Sequence, residues 1–183
     1  FMLKEIYEQP KTINDTISPR IKDNDIVIEE LNMSDEEIKE ITKIHIVACG
    51  SAYHTGVTAK YVIEGLARIP VEVDVASEFR YRDPILQKGN MVIVISQSGE
   101  TADTLAALRE SRERGFKVLG IVNVVGSSIA READSVMYTW AGPEIAVATT
   151  KAYSAQLTAL YMLAMKFARV RGTIDQEKFA GML

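Results

Sequence analysis

The chain has 183 residues, 47% of them hydrophobic, which is enough for one globular domain with a sizeable core and too few to indicate two. Its formal net charge is −4, from 21 basic and 25 acidic residues, and the basic residues are spread along the chain, which argues against a nucleic-acid partner. A single cysteine, Cys49, and two histidines, His45 and His54, exclude an internal disulfide and a Cys/His metal cage, so we expect a cytoplasmic protein without a metal or other cofactor.

The sequence shows neither a membrane span nor a signal peptide. No apolar run approaches the roughly 18 residues of a transmembrane helix, and FMLKEIYEQP has acidic residues where a signal peptide is apolar. We therefore expect no membrane partner. The first residue is Phe1 rather than methionine, and DQEKFAGML carries no evident cap, so we expect a fragment of a longer protein.

Residues 1–43 precede the first predicted strand and differ in character from the rest of the chain. MLKEIYEQP predicts a helix that Pro10 ends, because proline lacks the N–H that a helix interior needs. Ser34 and Glu37 have the spacing of a capping box, which predicts a short helix ending near Thr42. This segment is predicted to be a helical lead-in to the main domain.

Five short runs have the composition of β-strands. They are IHIVAC (44–49), VEVDVA (71–76), MVIVI (91–95), KVLGIVN (117–123) and SVMYT (135–139). Three are nearly continuous in apolar residues, a pattern typical of parallel strands that are buried on both faces. Helical patterns fill most of the gaps, so the sequence predicts a layered α/β domain over residues 44–170.

The first strand ends in CGSAYHTG, a turn that leads into a predicted helix. It lacks the G-x-G-x-x-G fingerprint of dinucleotide-binding proteins, and no Walker GK[ST] sequence occurs in the chain, so NAD and ATP are not favoured. We interpret Cys49 as a small core residue, with a reactive thiol as the alternative.

The third strand ends in SQSGET, residues 96–101, and a helix is predicted from Gly99 to Glu113. Ligands bind to open α/β sheets at this end of the strands, and the first turn of a helix offers free N–H groups and a partial positive charge. Hydroxyls of Ser96, Ser98 and Thr101 add donors, so this turn is a candidate phosphate cradle. Plain capping of the helix is the alternative. A serine nucleophile is not favoured, because SQSGE does not fit G-x-S-x-G.

A third polar patch, GPEIAVATTKAYS, spans residues 142–154. A long helix is predicted to begin near Thr149 or Thr150, and the small residues 146–148 can lie close to a ligand. Lys151 is either a solvated lysine or a counter-charge for the phosphate. Glu144, like Glu100 in the preceding patch, is expected to be a surface carboxylate.

Several long segments together resemble the sugar isomerase (SIS) domain, and more closely the first SIS domain of the glucosamine-6-phosphate synthase family. They are ASEFRYR (76–82), SQSGETADTLAALR (96–109), NVVGSSIARE (123–132) and EIAVATTKAY (144–153). The resemblance extends from FMLKEIYEQP through at least Arg171. It implies a three-layer αβα sandwich with a five-stranded parallel sheet, and a linker toward a second SIS domain at residues 171–183.

In that family a glutaminase domain releases ammonia, and two SIS domains convert fructose-6-phosphate and ammonia into glucosamine-6-phosphate. The resemblance therefore implies a fragment of an aminotransferase that binds fructose-6-phosphate or glucosamine-6-phosphate. It also implies a glutaminase domain and a second SIS domain in the full-length chain, and a homodimer. The family's catalytic glutamate, histidine and lysine have no counterpart here, so we assign no catalytic residue and expect binding without turnover.

The resemblance also assigns the site residues. The family's SQSGET turn holds the phosphate, which implies that role for Ser96, Gln97, Ser98 and Thr101. The family's CGTS turn contacts the sugar; Ser51 keeps a hydroxyl there, whereas Ala52 lacks one. The family's V-A-S-T-K segment implies sugar contacts for Val147 and Thr149 and ends at Lys151.

Two other functions stay open at this point. One is a sugar-phosphate sensor of the kind found in transcription regulators, although residues 1–43 show no convincing helix-turn-helix or basic stretch. The other is a surface that serves assembly only.

Overall fold

A computed structural model describes all residues from 1 to 183. The helices are α1 (Met2–Ile17), α2 (Asp35–Lys39), α3 (Gly50–Ala67), α4 (Ala76–Tyr81), α5 (Ala102–Glu113), α6 (Ser128–Glu132), α7 (Lys151–Arg171) and α8 (Gln176–Met182). The strands are β1 (Ile21–Lys22), β2 (Asp25–Ile26), β3 (Lys43–Ala48), β4 (Val71–Val75), β5 (Asn90–Ser96), β6 (Lys117–Val122) and β7 (Ser135–Tyr138). None of the helices combines the length and the apolar character needed to cross a membrane.

The main sheet has five parallel strands in the order β4-β3-β5-β6-β7, and β1 pairs with β2 in a separate antiparallel hairpin. The central strand β5 is buried at every residue, as its run of apolar side chains predicts. The predicted α/β fold and its five parallel strands are confirmed, with strand ends within one residue or so of those predicted.

Helices cover both faces of this sheet, because successive side chains of a strand point to opposite faces. On one face Ile44, Ile46 and Ile93 pack against α3 and α7 in the larger core cluster. On the other face Val47 and Val94 belong to a second cluster with α4, α5 and α6. The predicted three-layer αβα sandwich is therefore confirmed.

Helix α1 runs through Pro10 to Ile17, so the prediction that Pro10 ends it is wrong. Proline at residue 10 deprives the Ile6 carbonyl of its usual N–H donor. The side-chain amide of Gln9 takes over this role, with Nε2 donating to the Ile6 carbonyl at 3.2 Å. The capping box of α2 is confirmed, since Ser34 Oγ accepts from the Glu37 N–H and Glu37 Oε2 accepts from the Ser34 N–H.

The predicted linker, residues 171–183, contains a helix that the sequence patterns did not predict. Asp175 caps α8 by accepting a hydrogen bond from the Lys178 N–H at 2.7 Å, and Phe179 is completely buried in the larger core cluster. A buried aromatic side chain ties this segment to the domain. The divisions at residues 43 and 170 stay predictions.

Candidate functional site

A cavity of about 270 Å³ opens at the carboxyl ends of β3 and β5. These neighbouring strands lead into helices on opposite faces of the sheet, which makes their junction the topological switch point where open α/β sheets bind ligands. The cavity is lined mainly by small and polar side chains: Cys49, Ser51, Ala52, Ile95, Ser96, Gln97, Ser98, Thr101, Glu144, Ala146, Val147, Thr149 and Gln156. Every predicted site residue except Lys151 is therefore brought together here.

The turn from Ser96 to Thr101 is held by its own hydroxyls. Ser96 is buried, and its Oγ accepts a hydrogen bond from the Gly99 N–H at 3.0 Å and lies 2.9 Å from Thr101 Oγ1. Ser98 Oγ accepts from the Glu100 N–H at 3.2 Å. Thr101 is the N-cap of α5, so the first N–H groups of that helix lie beside the cavity.

Gly99 gives this turn its shape. Its φ is +68°, in the left-handed region that side chains disfavour, and a Cβ atom there would lie 2.0 Å from Ser127 Oγ. Ser127 lies in the turn before α6, so that turn packs directly against the backbone of Gly99. A residue larger than glycine would displace one turn or the other.

Glu100 points away from the cavity. Its Oε1 accepts a hydrogen bond from the Ser128 N–H at 2.7 Å, and this interaction with Ser128 is the main cause that lowers the pKa of the exposed Glu100 carboxyl. The carboxylate thus caps the short helix α6 and does not oppose an anion in the cavity.

The turn between β3 and α3 forms the second wall. Cys49 is the N-cap residue of α3, and Ser51 and Ala52 lie in the first helical turn. Cys49 is half-buried: it packs against the second core cluster and also lines the cavity. Our interpretation of Cys49 as a core residue therefore describes only part of its surroundings.

Glu144 shapes the third wall, and it is a half-buried carboxylate that caps a helix rather than the freely solvated one that we expected. Its Oε1 accepts from the N–H groups of Thr150 and Ala152, at 2.9 and 3.1 Å, and its Oε2 accepts from Thr149 Oγ1 at 2.9 Å. Glu144 thus caps α7, and its negative charge already satisfies the positive end of that helix. An anion is therefore better received at α5.

Lys151 is directed away from the cavity. It is 5% exposed, and its Nζ lies 2.6 Å from Glu8 Oε2 on α1. The hydrogen bond from Lys151 holds the pKa of the Glu8 carboxyl below its usual value. Lys151 thus joins two helices, and the role of counter-charge that the sequence suggested has no geometric basis.

The lining contains no lysine or arginine, and Glu144 is its one charged residue. Any attraction for an anion within this chain must come from backbone N–H groups, hydroxyls and helix termini. Five residues line the cavity without being among the predicted site residues: Cys49, Ile95, Glu144, Ala146 and Gln156. No sequence pattern marked Glu144 or Gln156: Glu144 lies in the irregular 139–150 loop, and Gln156 is a buried polar residue of α7.

Comparison with known proteins gives consistent matches. The family described as the SIS domain matches residues 37–166. A glutamine–fructose-6-phosphate aminotransferase (isomerizing) of Clostridium tetani is 62% identical over 97% of this chain, and one of Caldanaerobacter subterraneus is also 62% identical over 97%. The chain spans 29% of the length of each of these relatives.

A solved structure also matches over nearly the whole chain. It is the C-terminal domain of glucosamine-fructose-6-phosphate aminotransferase from Francisella tularensis, with 42% sequence identity and a TM-score of 0.93. The match covers 99% of this chain and 51% of that one.

Proposed function

This chain belongs to the SIS domain family, and from that premise we propose that it binds fructose-6-phosphate or glucosamine-6-phosphate within the isomerase half of a glutamine:fructose-6-phosphate aminotransferase. The two bacterial aminotransferases that share 62% of its residues support this assignment. In such an enzyme the domain contributes to the conversion of fructose-6-phosphate into glucosamine-6-phosphate.

The observation that carries the proposal is the turn at residues 96–101. It combines the free N–H groups at the start of α5 with the hydroxyls of Ser96, Ser98 and Thr101, at the switch point of the sheet. A phosphate dianion has oxygen acceptors for several such donors and is favoured by the positive end of the helix. Because the lining has no basic side chain, these donors are the main anion-binding groups.

The sugar would lie toward the other two walls. Ser51 and Thr149 offer hydroxyl groups, and Val147 offers a fully exposed apolar surface. The Ala52 side chain offers no hydrogen bond, so the contact that the family's serine supplies at this position is lost or comes from another group. Gln97 extends the polar surface between the two ends of the ligand.

We expect binding without turnover from this chain. Glu144 is the only carboxylate in the lining, and both of its oxygens accept hydrogen bonds that cap α7. Phosphate binding at a remote part of the substrate can hold its reacting carbons against groups of another domain. We propose that a second SIS domain and a glutaminase domain of the same full-length chain complete the enzyme, that it is a homodimer, and that it acts in the cytoplasm.

Calorimetry tests the binding function. Fructose-6-phosphate and glucosamine-6-phosphate should bind measurably, inorganic phosphate more weakly, and fructose least. The double variant Ser96→Ala/Ser98→Ala should weaken the binding of both sugar phosphates, because it removes the hydroxyls that hold the turn. Ser111→Ala is the matched control, since the Ser111 hydroxyl bonds to the Ala107 carbonyl inside α5. Equal affinities for fructose and fructose-6-phosphate would contradict the proposal.

A further inference from the structure

Glu5, near the start of α1, is buried against the loop that carries Ala146 and Val147. The residue is 4% exposed, and its Oε1 accepts hydrogen bonds from the backbone N–H groups of Ile145, at 2.7 Å, and Ala146, at 3.2 Å. Its Oε2 is buried without a partner. A carboxylate buried with one unpartnered oxygen costs stability, so its placement calls for an explanation beyond that of holding the fold together.

The loop at residues 139–150 contains no helix or strand, so its shape depends on what its backbone groups contact. Asn123 fixes its beginning: Oδ1 accepts from the Ala141 N–H at 2.8 Å and Nδ2 donates to the Gly142 carbonyl at 2.7 Å. Glu144 fixes its end at α7. The intervening backbone, next to Val147, is bonded to Glu5.

Helix α1 is itself firmly placed relative to this loop. Glu8 and Gln9 follow Glu5 at three and four residues, a spacing that puts all three on one face of the helix. Glu8 pairs with Lys151, and Gln9 Oε1 accepts a hydrogen bond from Ser154 Oγ at 2.5 Å. Both partners lie in the first turn of α7. Glu5 thus acts from a fixed support, which is what a precise binding wall requires.

We propose that Glu5 is a positioning residue for the sugar site: its carboxylate holds the backbone of residues 145–147 in the shape that lets Ala146 and Val147 contact the sugar. This rests on the proposed function and assigns to α1, outside the SIS match at 37–166, a part in that same site. The sugar end of the ligand depends on Glu5. The phosphate end, at the 96–101 turn, does not.

The test compares wild-type protein, as the 183-residue chain, with Glu5→Ala and Glu5→Gln. Alanine removes the acceptor of both loop N–H groups, whereas glutamine keeps an oxygen that can accept them. Hydrogen exchange at the Ile145 and Ala146 amides measures how well Glu5 protects the loop backbone. Calorimetry with glucosamine-6-phosphate measures the affinity of the whole site, and calorimetry with inorganic phosphate measures that of the phosphate end alone.

Glu5→Ala should accelerate exchange at both amides. It should also weaken the binding of glucosamine-6-phosphate by about tenfold, the loss expected for one net hydrogen bond to a charged group. The affinity for inorganic phosphate should change by less than about twofold, and Glu5→Gln should retain most of the wild-type affinity for glucosamine-6-phosphate. The control is Asp15→Ala, which removes another carboxylate of α1, one that pairs with Lys11. Its amide exchange and its affinities should equal those of the wild type.

Unchanged affinity of Glu5→Ala for glucosamine-6-phosphate would overturn the proposal, and so would an equal loss for inorganic phosphate, which would indicate general damage. If Glu5→Ala fails to fold, Glu5→Asp carries the test, because it keeps the charge but is one methylene too short to reach both amides. Wild-type protein that binds neither compound would refute the proposed function instead, while the exchange rates would still report whether Glu5 fixes the loop.

Discussion

The turn at residues 96–101 and the loop at residues 139–150 form two walls of the same cavity, and they are held in contrasting ways. Bonds within the turn join residues at most five positions apart, such as Ser96 to Thr101. The loop has a local cap in Glu144, but it is also held by residues far away along the chain: Glu5 bonds to Ile145, and Thr16 Oγ1 donates to the Thr139 carbonyl at 2.6 Å. The turn thus owes much of its shape to its own hydroxyls, although its backbone carbonyls also accept from the N–H groups of Asn123 and Ile129. The loop depends in addition on α1.

The largest expected effect is that of Gly99→Ala, which disrupts the turn at residues 96–101. A left-handed φ and a Cβ atom 2.0 Å from Ser127 Oγ should together cost roughly 2–5 kcal/mol of the free energy of unfolding and abolish phosphate binding. Gly115→Ala is the matched control, because Gly115 also has a positive φ, +81°, but no atom lies within 4 Å of an added Cβ. Urea unfolding and calorimetry should separate the two variants; equal effects would contradict the packing argument.

Glu144→Ala should act on the other wall. It removes the acceptor for two N–H groups at the start of α7, which should cost about 1 kcal/mol, the usual loss for a helix cap. We expect weaker binding of glucosamine-6-phosphate and unchanged binding of inorganic phosphate, measured by calorimetry. Glu37→Ala is the control, because Glu37 takes part in the capping of α2, away from the cavity. An equal loss of affinity for inorganic phosphate would show that the two walls are not independent.

The same contrast explains how far the sequence predicts the site. The five strands, the SQSGET turn and the start of α7 follow from local patterns: apolar runs, a glycine between hydroxyl residues, and threonines before a helical stretch. Glu5 and Gln156 could not be found in this way, because their roles depend on partners that the chain brings near only in three dimensions. The continuation of α1 through Pro10 was not predicted either, and it is accompanied by a side-chain hydrogen bond from Gln9 that no propensity predicts.

Lys151→Met tests whether Lys151 is a counter-charge for the phosphate or only an ion-pair partner of Glu8. Because the Lys151 ammonium pairs with Glu8 and does not line the cavity, inorganic phosphate affinity should change by less than about twofold. The thermal midpoint should fall, because the variant breaks the ion pair between buried Lys151 and half-buried Glu8. Lys60→Met, which changes a partly exposed lysine of α3, provides the control. A large drop in phosphate affinity with an unchanged midpoint would restore Lys151 as a counter-charge.

The smallest expected effect concerns the sheet that carries both walls. His45 in β3 is 1% exposed, and its pKa is lowered mainly by burial and further by Lys43, against the opposing influence of Glu72, Asn90 and Asp74. The folded protein therefore favours neutral His45, whereas the unfolded chain takes up a proton near a pH of about 6.5. Because the unfolded chain binds the proton more readily, the free energy of unfolding should fall as the pH drops through that value.

Replacing His45 with leucine should remove this part of the pH dependence. In His45→Leu the decline between about pH 7 and pH 5.5 should be absent, and its size is limited to about 1.4 kcal/mol for each pH unit that separates the folded and unfolded pKa values. Urea unfolding at a series of pH values measures it. His54→Gln, which replaces the exposed histidine of α3, is the matched control. A wild-type pH dependence in His45→Leu would contradict the assignment of this response to His45.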